Sequence, residues 1–144
     1  RAACAESGQA PPTEPGPLVR CLFESLALKY RWVLEEIEAI AGWRAECIHV
    51  VGGGSRNAML NALTADATGR PVLAGPVEAT ALGNLLTQAM ARGELASLAE
   101  IRAVVRRSTD PRPFEPDPDR GAWDDAYGRF GQIMASDAER QGRT

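Results

Sequence analysis

Three glycines and a serine, Gly52-Gly53-Gly54-Ser55, stand directly after the apolar run Cys47-Ile48-His49-Val50-Val51 and directly before a segment with helical spacing. Glycine has no β-carbon to hold a ligand away from the backbone. The first-turn amides of the following helix point free N–H groups forward, with the positive end of the helix dipole behind them. Phosphate or ribose suits such a turn. Ser55 is placed to cap the helix. Asn57, in its first turn, carries a side-chain amide that both donates and accepts, the character needed to read an adenine edge. The run lacks the GxGxxG spacing of a dinucleotide fold and the Lys-Ser/Thr ending of a P-loop. A tight strand-to-helix turn without a ligand would also use glycine, so the residues alone leave both readings open.

The other chemistry-bearing residues read as structural. His49 is the single histidine, which excludes a His-rich metal site, and its place between Ile48 and Val50 suits a packed or half-exposed strand residue. Cys4, Cys21 and Cys47 lack CxxC spacing. Buried or reduced thiols fit best, although Cys4 and Cys21 flank one Pro-rich loop and a bridge between them stays open. Glu78 opens a helix where the dipole favours a carboxylate. Arg102, Arg106 and Arg107 are expected at a solvated helix end, and Gly83 should let its helix pack closely on a neighbour.

These residues need a frame. The chain has 144 residues, 44% of them hydrophobic, enough for one ordinary domain with a real core. A net charge of -3 gives no basic field, so nucleic acid is not an expected partner. No apolar run approaches the roughly 20 residues that cross a bilayer, and no apolar signal-peptide core follows the first residues. No membrane partner is expected, and the protein reads as soluble and cytoplasmic. The chain begins without Met, on Arg1-Ala2-Ala3-Cys4-Ala5-Glu6, which reads as the end of a helix already under way and so as part of something longer.

Four prolines between Gln9 and Pro17 predict an exposed connection. From Leu18 to about Ala41, Leu22, Leu26, Tyr30, Val33, Leu34, Ile37 and Ile40 recur at three-to-four spacing and predict a long helix, stopped at Gly42. Cys47 to Val51 reads as a buried strand, Asn57 to Thr68 as a helix closed by Gly69, and Pro71 to Ala74 as a second strand. Further helices are expected over Glu78–Met90, Leu95–Arg106 and Gly121–Ala135. The last carries Trp123, Tyr127, Phe130 and Met134 as a core face, and Trp32 and Trp43 are read as core residues in the same way. Between the last two helices the Pro-rich stretch Asp110–Asp119 should run extended over the surface, anchored by Phe114. The pattern is α/β, with helices packed on a sheet too small to stand alone.

Three blocks resemble one family. They are Ile48-His49-Val50-Val51-Gly52-Gly53-Gly54-Ser55-Arg56-Asn57 with Leu60-Asn61, then Ala65-Asp66-Ala67-Thr68-Gly69, then Gly75-Pro76-Val77-Glu78-Ala79-Thr80-Ala81-Leu82-Gly83-Asn84. Together they resemble the C-terminal domain of the FGGY carbohydrate kinases. Further blocks, Ala2-Ala3-Cys4, Arg20 to Leu28 and Phe114-Glu115-Pro116-Asp117-Pro118, extend the likeness over most of the chain and resemble one ketose-kinase branch of that family.

The resemblance implies the C-terminal part of an actin-like ATPase (ribonuclease H-like) domain. Residues 1–139 would form part of the nucleotide-binding domain, and residues 140–144 a disordered tail. It also implies ATP and Mg2+ as cofactors and a ketose or polyol as substrate. By the same resemblance Gly53 lies against the nucleotide, Asn57 faces the adenine, and Gly52, Gly54 and Ser55 complete the turn. The family's general base is an aspartate far upstream, and no residue here matches it. Asp66, inside its helix, is read as structural. The chain would then supply adenosine contacts without phosphorylating sugar by itself. Its family alternatives are a kinase for xylulose or glycerol, and outside catalysis a nucleotide-binding remnant.

Overall fold

The computed structural model describes Cys4 and residues 8–141, with side chains through residue 136. The expected helix end over residues 1–6 falls, apart from Cys4, outside the described residues, as do 142–144 of the expected tail. A long helix α1 (Pro15–Ala41) leads to strand β1 (Ile48–Val50), a 3-10 turn (Gly52–Arg56), helix α2 (Ala58–Thr68) and strand β2 (Val72–Ala74). Helices α3 (Ala79–Ala91) and α4 (Leu98–Ser108), strand β3 (Arg112–Phe114) and helix α5 (Gly121–Gln141) complete the chain. Helix α1 begins three residues before the expected Leu18 because first-turn N–H groups have no partner inside a helix, so Pro15 and Pro17 cost it no bond. Gly42 ends it in the left-handed conformation at φ 71°, its N–H on the Glu38 carbonyl. Helix α5 runs six residues past the expected Ala135.

The sheet is mixed, in the order β1-β2-β3, with β1 parallel and β3 antiparallel to β2. Strand β3 is the element the sequence concealed. Its central Pro113 sits opposite Leu73, and Phe114 pairs with Val72. Proline is tolerated there because β3 is an edge strand and need not donate on both sides. Phe114 is the anchor its type foretold, within a strand that prolines disguised as irregular chain. Strand β1 departs from expectation in the other direction. His49 is exposed, and Ile48 and Val50 are only partly covered, because β1 is also an edge. The buried strand is β2, with Val72 wholly enclosed.

The core lies where α1 crosses α2. Ala27 meets Leu63 and Ala67, and Phe23 and Trp123 pack around them. Small residues at this crossing let the two helices approach closely. Trp123 thus joins the core as its spacing implied, whereas Trp43 does not, being 61% exposed. Most of the α1 stripe is also uncovered: Leu22, Leu26, Tyr30, Val33 and Ile37 are exposed, since α2 and a three-stranded sheet cover only one side of so long a helix.

Two polar clamps fasten the periphery to this crossing. Glu38, at the end of α1, accepts from the Ala45 N–H at 2.8 Å and faces Arg70 at 3.4 Å. The Ala45 hydrogen bond first, and then the charges of Arg70 and Arg44, hold the Glu38 carboxyl below the usual range. On the other flank Asp66 accepts from the Asp117 N–H at 2.9 Å and pins the Pro-rich strap onto α2. That bond gives Asp66 a structural use.

Candidate functional site

Strand β1 delivers the chain into the glycine turn beside the loop that follows β2. The Gly75 N–H donates to the Val50 carbonyl at 2.8 Å and the Gly52 N–H to the Pro76 carbonyl at 3.0 Å, so the turn is fixed to that loop by backbone alone. The three glycines differ in what the backbone asks of them. Gly52 stands at φ +74°, which side-chain-bearing residues rarely adopt. A β-carbon on Gly54 would lie 3.7 Å from Cγ1 of Val50, an ordinary contact. Gly53 has neither a left-handed backbone nor any neighbour: a β-carbon there would have open space within 4 Å. Among the described residues nothing calls for glycine at position 53, as is also true of Gly16, Gly83, Gly128 and Gly131.

The helix-capping role expected of Ser55 passes to Asn57. Ser55 does not cap α2. Its hydroxyl donates to the Gly52 carbonyl at 2.6 Å and closes the turn on itself. The cap is Asn57, whose Oδ1 accepts from the Leu60 N–H at 3.1 Å. The shift follows from the 3-10 turn, which uses up the residues through Arg56 and starts the α-helix only at Ala58. With Oδ1 engaged, Asn57 offers a ligand its Nδ2 as a donor. The α2 N-terminus beneath it is a favourable place for an anion.

Five residues, Gly52, Gly53, Gly54, Ser55 and Asn57, are thus brought together on one turn at the surface. The remaining candidates are not part of it. His49 is exposed on the edge strand and borders a groove that also reaches Gly54 and Asn61, but it is not part of the turn. Glu78 is the N-cap residue of α3 without a side-chain capping bond. A β-carbon on Gly83 would have nothing within 4 Å, so the close packing expected of it has no partner among the described residues. Arg106 bonds back to the Arg102 carbonyl on the exposed α4, in keeping with a solvated helix end. Cys4 and Cys21 line one open groove with Trp123 and Phe130 between α1 and α5. Among the described residues no group of three or more His, Cys, Asp or Glu side chains converges to hold a metal ion. No helix there is long and apolar enough to cross a membrane.

Sequence reasoning missed one residue of the turn's support. Asn61 is 2% exposed, and its Nδ2 donates to the Ser55 carbonyl at 3.1 Å. The signal was present: an asparagine at i+4 from the helix cap, on the buried face of α2.

Residues 1–92 match the model for the FGGY family of carbohydrate kinases, C-terminal domain, and the glycine turn lies inside that match. The chain belongs to the FGGY family of carbohydrate kinases. A rhamnulokinase of Bacteroides thetaiotaomicron is 50% identical over 127 residues, covering 88% of this chain and 26% of that protein. A rhamnulokinase of Klebsiella pneumoniae is 48% identical over 119 residues, covering 83% and 24%. The crystal structure of xylulose kinase from Rhodospirillum rubrum superimposes with a TM-score of 0.69 at 25% identity, over 90% of this chain and 26% of that one. This FGGY chain therefore spans about a quarter of the length of the relatives it matches. Its helices and small mixed sheet are the C-terminal part of an actin-like ATPase fold.

Proposed function

We propose that this chain is the adenosine-binding part of an L-rhamnulokinase, which transfers the γ-phosphate of Mg-ATP to the 1-hydroxyl of L-rhamnulose. The observation that carries the substrate is the 50% identity to a rhamnulokinase over 127 residues. The observation that carries the nucleotide is Gly53, a glycine demanded by neither backbone nor packing, on a turn that ends in the capped N-terminus of α2. In this reading Gly53 lets the nucleotide approach the backbone, and the Asn57 Nδ2 donates to an acceptor on the adenine ring. ATP supplies the transferred phosphoryl group, and its in-line displacement needs a base to take the sugar proton. That base, the magnesium contacts and most sugar contacts belong to the part of the kinase outside this chain. The reaction would take place in the cytoplasm.

A second reading, a kinase for xylulose, draws on the structural likeness to the Rhodospirillum rubrum enzyme. The lower identity of that pair, 25% against 50%, makes it the weaker of the two. Coupled ATP-consumption kinetics on the complete gene product, with L-rhamnulose, xylulose and glycerol as acceptors, decide between them. The highest kcat/KM is expected for L-rhamnulose; a higher value for xylulose or glycerol would overturn the assignment.

A further inference from the structure

Helix α2 buries three polar side chains, Asn61, Thr64 and Thr68. The two threonines satisfy themselves locally: Thr64 Oγ1 donates to the Leu60 carbonyl and Thr68 Oγ1 to the Thr64 carbonyl, both at 2.7 Å. Such hydroxyls ask nothing of the rest of the molecule. Asn61 differs. Its carboxamide leaves its own helix and donates to the carbonyl of Ser55, six residues back, inside the glycine turn. With Val72 it is one of the two largest fully enclosed side chains of the described structure. An amide so placed is costly to bury unless its bond is made, and a leucine would fill comparable space with no such cost. What the amide adds is a fixed position for the Ser55 carbonyl.

That position propagates through the turn. Ser55 holds the Gly52 carbonyl through its hydroxyl at 2.6 Å. The backbone N–H of Asn61 donates to the Asn57 carbonyl at 3.0 Å, while the Asn57 N–H donates to the Gly54 carbonyl at 3.1 Å. Asn61 therefore holds the turn at Ser55 through its side chain and at Asn57 through its backbone, and Gly53 lies between the residues so fixed. We propose that Asn61 is a positioning residue for the nucleotide: it sets the distance between the Gly53 backbone and the Asn57 amide, which the adenosine must span. The inference rests on the reading of this turn as the nucleotide site.

The test uses the full-length kinase with Asn61→Asp, which keeps the shape but replaces the donor with a carboxylate facing a carbonyl, and Asn61→Ser, which removes the donor without adding charge. Leu63→Ala is the control, a core cavity that destabilises the same helix without touching the turn. Steady-state kinetics are read well below each melting temperature, and hydrogen exchange of the peptide spanning residues 52–57 is read without nucleotide. Both Asn61 variants should raise KM for ATP roughly tenfold, the loss of about one buried hydrogen bond, and should speed exchange in the turn. KM for the sugar and kcat should stay within about twofold, the uncertainty of a distant substitution. Leu63→Ala should lower the melting temperature and leave KM for ATP unchanged. If Gly53→Asp weakens ATP binding while both Asn61 variants leave it alone, or if Leu63→Ala raises KM for ATP as much as they do, the positioning role is wrong and the nucleotide site stands. If exchange in the turn speeds up but neither the Asn61 variants nor Gly53→Asp change KM for ATP, the turn is not the nucleotide site, and both readings fall. Should Asn61→Asp not fold, Asn61→Ser carries the same comparison.

Discussion

Gly69, the residue that closes α2, lies so close beneath Arg120 that a β-carbon there would overlap the guanidinium. From that seat Arg120 Nη2 donates to the Ala67 carbonyl at 3.1 Å, satisfying one of the open carbonyls at the helix end. The start of α5 is in this way bonded to the far end of the helix whose N-terminus carries the glycine turn.

Gly93 provides the matched comparison. It also has a positive φ, +79°, but a β-carbon there would meet none of the described residues within 4 Å. Gly93→Ala should cost about 1 kcal/mol for the left-handed backbone. Gly69→Ala should cost up to about 1 kcal/mol beyond that, because the flexible end of Arg120 can move aside and only its hydrogen bond to Ala67 is lost. Urea unfolding of the two variants measures the gap, and equal losses would mean that Arg120 is not held by this contact.

The opposite flank of α5 is fixed to α1 by groups that titrate in opposite senses. The Tyr127 hydroxyl donates to Glu35 Oε2 at 2.5 Å, and burial first, then the Glu35 carboxylate, pushes its pKa up to about 12. Folding therefore favours the protonated phenol. Its contribution is complete below the ordinary tyrosine value near 10 and is lost as pH rises toward about 12. Carbon NMR of the Tyr127 ring should show that raised midpoint, and Glu35→Gln should lower it.

Asp124 runs the other way. Arg31 Nη1 bonds its Oδ1 at 2.6 Å, and that hydrogen bond is the largest of the influences holding the carboxyl below its usual value of 3.8. The folded pKa is depressed, so the pair stabilises the fold above that usual value and fades as pH falls through the lowered one. Asp124→Asn should flatten the acid limb of a stability-against-pH curve while leaving the limb above neutrality unchanged. A variant with the wild-type acid limb would contradict this.

What could be read from the residues divides along physical lines. Glycine stops at Gly42 and Gly69, the apolar period of α2 and the turn after Val51 are local signals, and each element formed where they placed it. The passage of the cap from Ser55 to Asn57 was not legible, because both residues cap well and the choice depends on how far the 3-10 turn extends. Strand β3 was hidden by Pro111 and Pro113, whose tolerance depends on β3 being an edge, a fact of topology. The exposure of Tyr30, Val33 and Ile37 was equally out of reach, since periodicity reports a face and not what lies over it.

The Asn57 cap itself makes a prediction. Asn57 Oδ1 is committed to the Leu60 N–H, so Asn57→Asp keeps the cap and replaces the donor offered to the base with a charged carboxylate oxygen. Its stability should stay within about 0.5 kcal/mol of wild type, because Asp and Asn cap comparably, whereas Asn57→Ala should lose about 1 kcal/mol. Both should weaken ATP binding. Tight ATP binding by Asn57→Asp would show that the adenine is read by something else.

The central claim is that the nucleotide meets the backbone at Gly53, where the chain itself leaves open space. Calorimetric titration of ATP into the full-length kinase and its Gly53→Asp variant tests it most directly. The variant puts a side chain and a negative charge into that space without a left-handed backbone to strain, so the fold should be kept. ATP affinity should fall roughly tenfold or more, at least about 1.4 kcal/mol, with sugar binding unchanged. An ATP affinity equal to wild type would contradict the account.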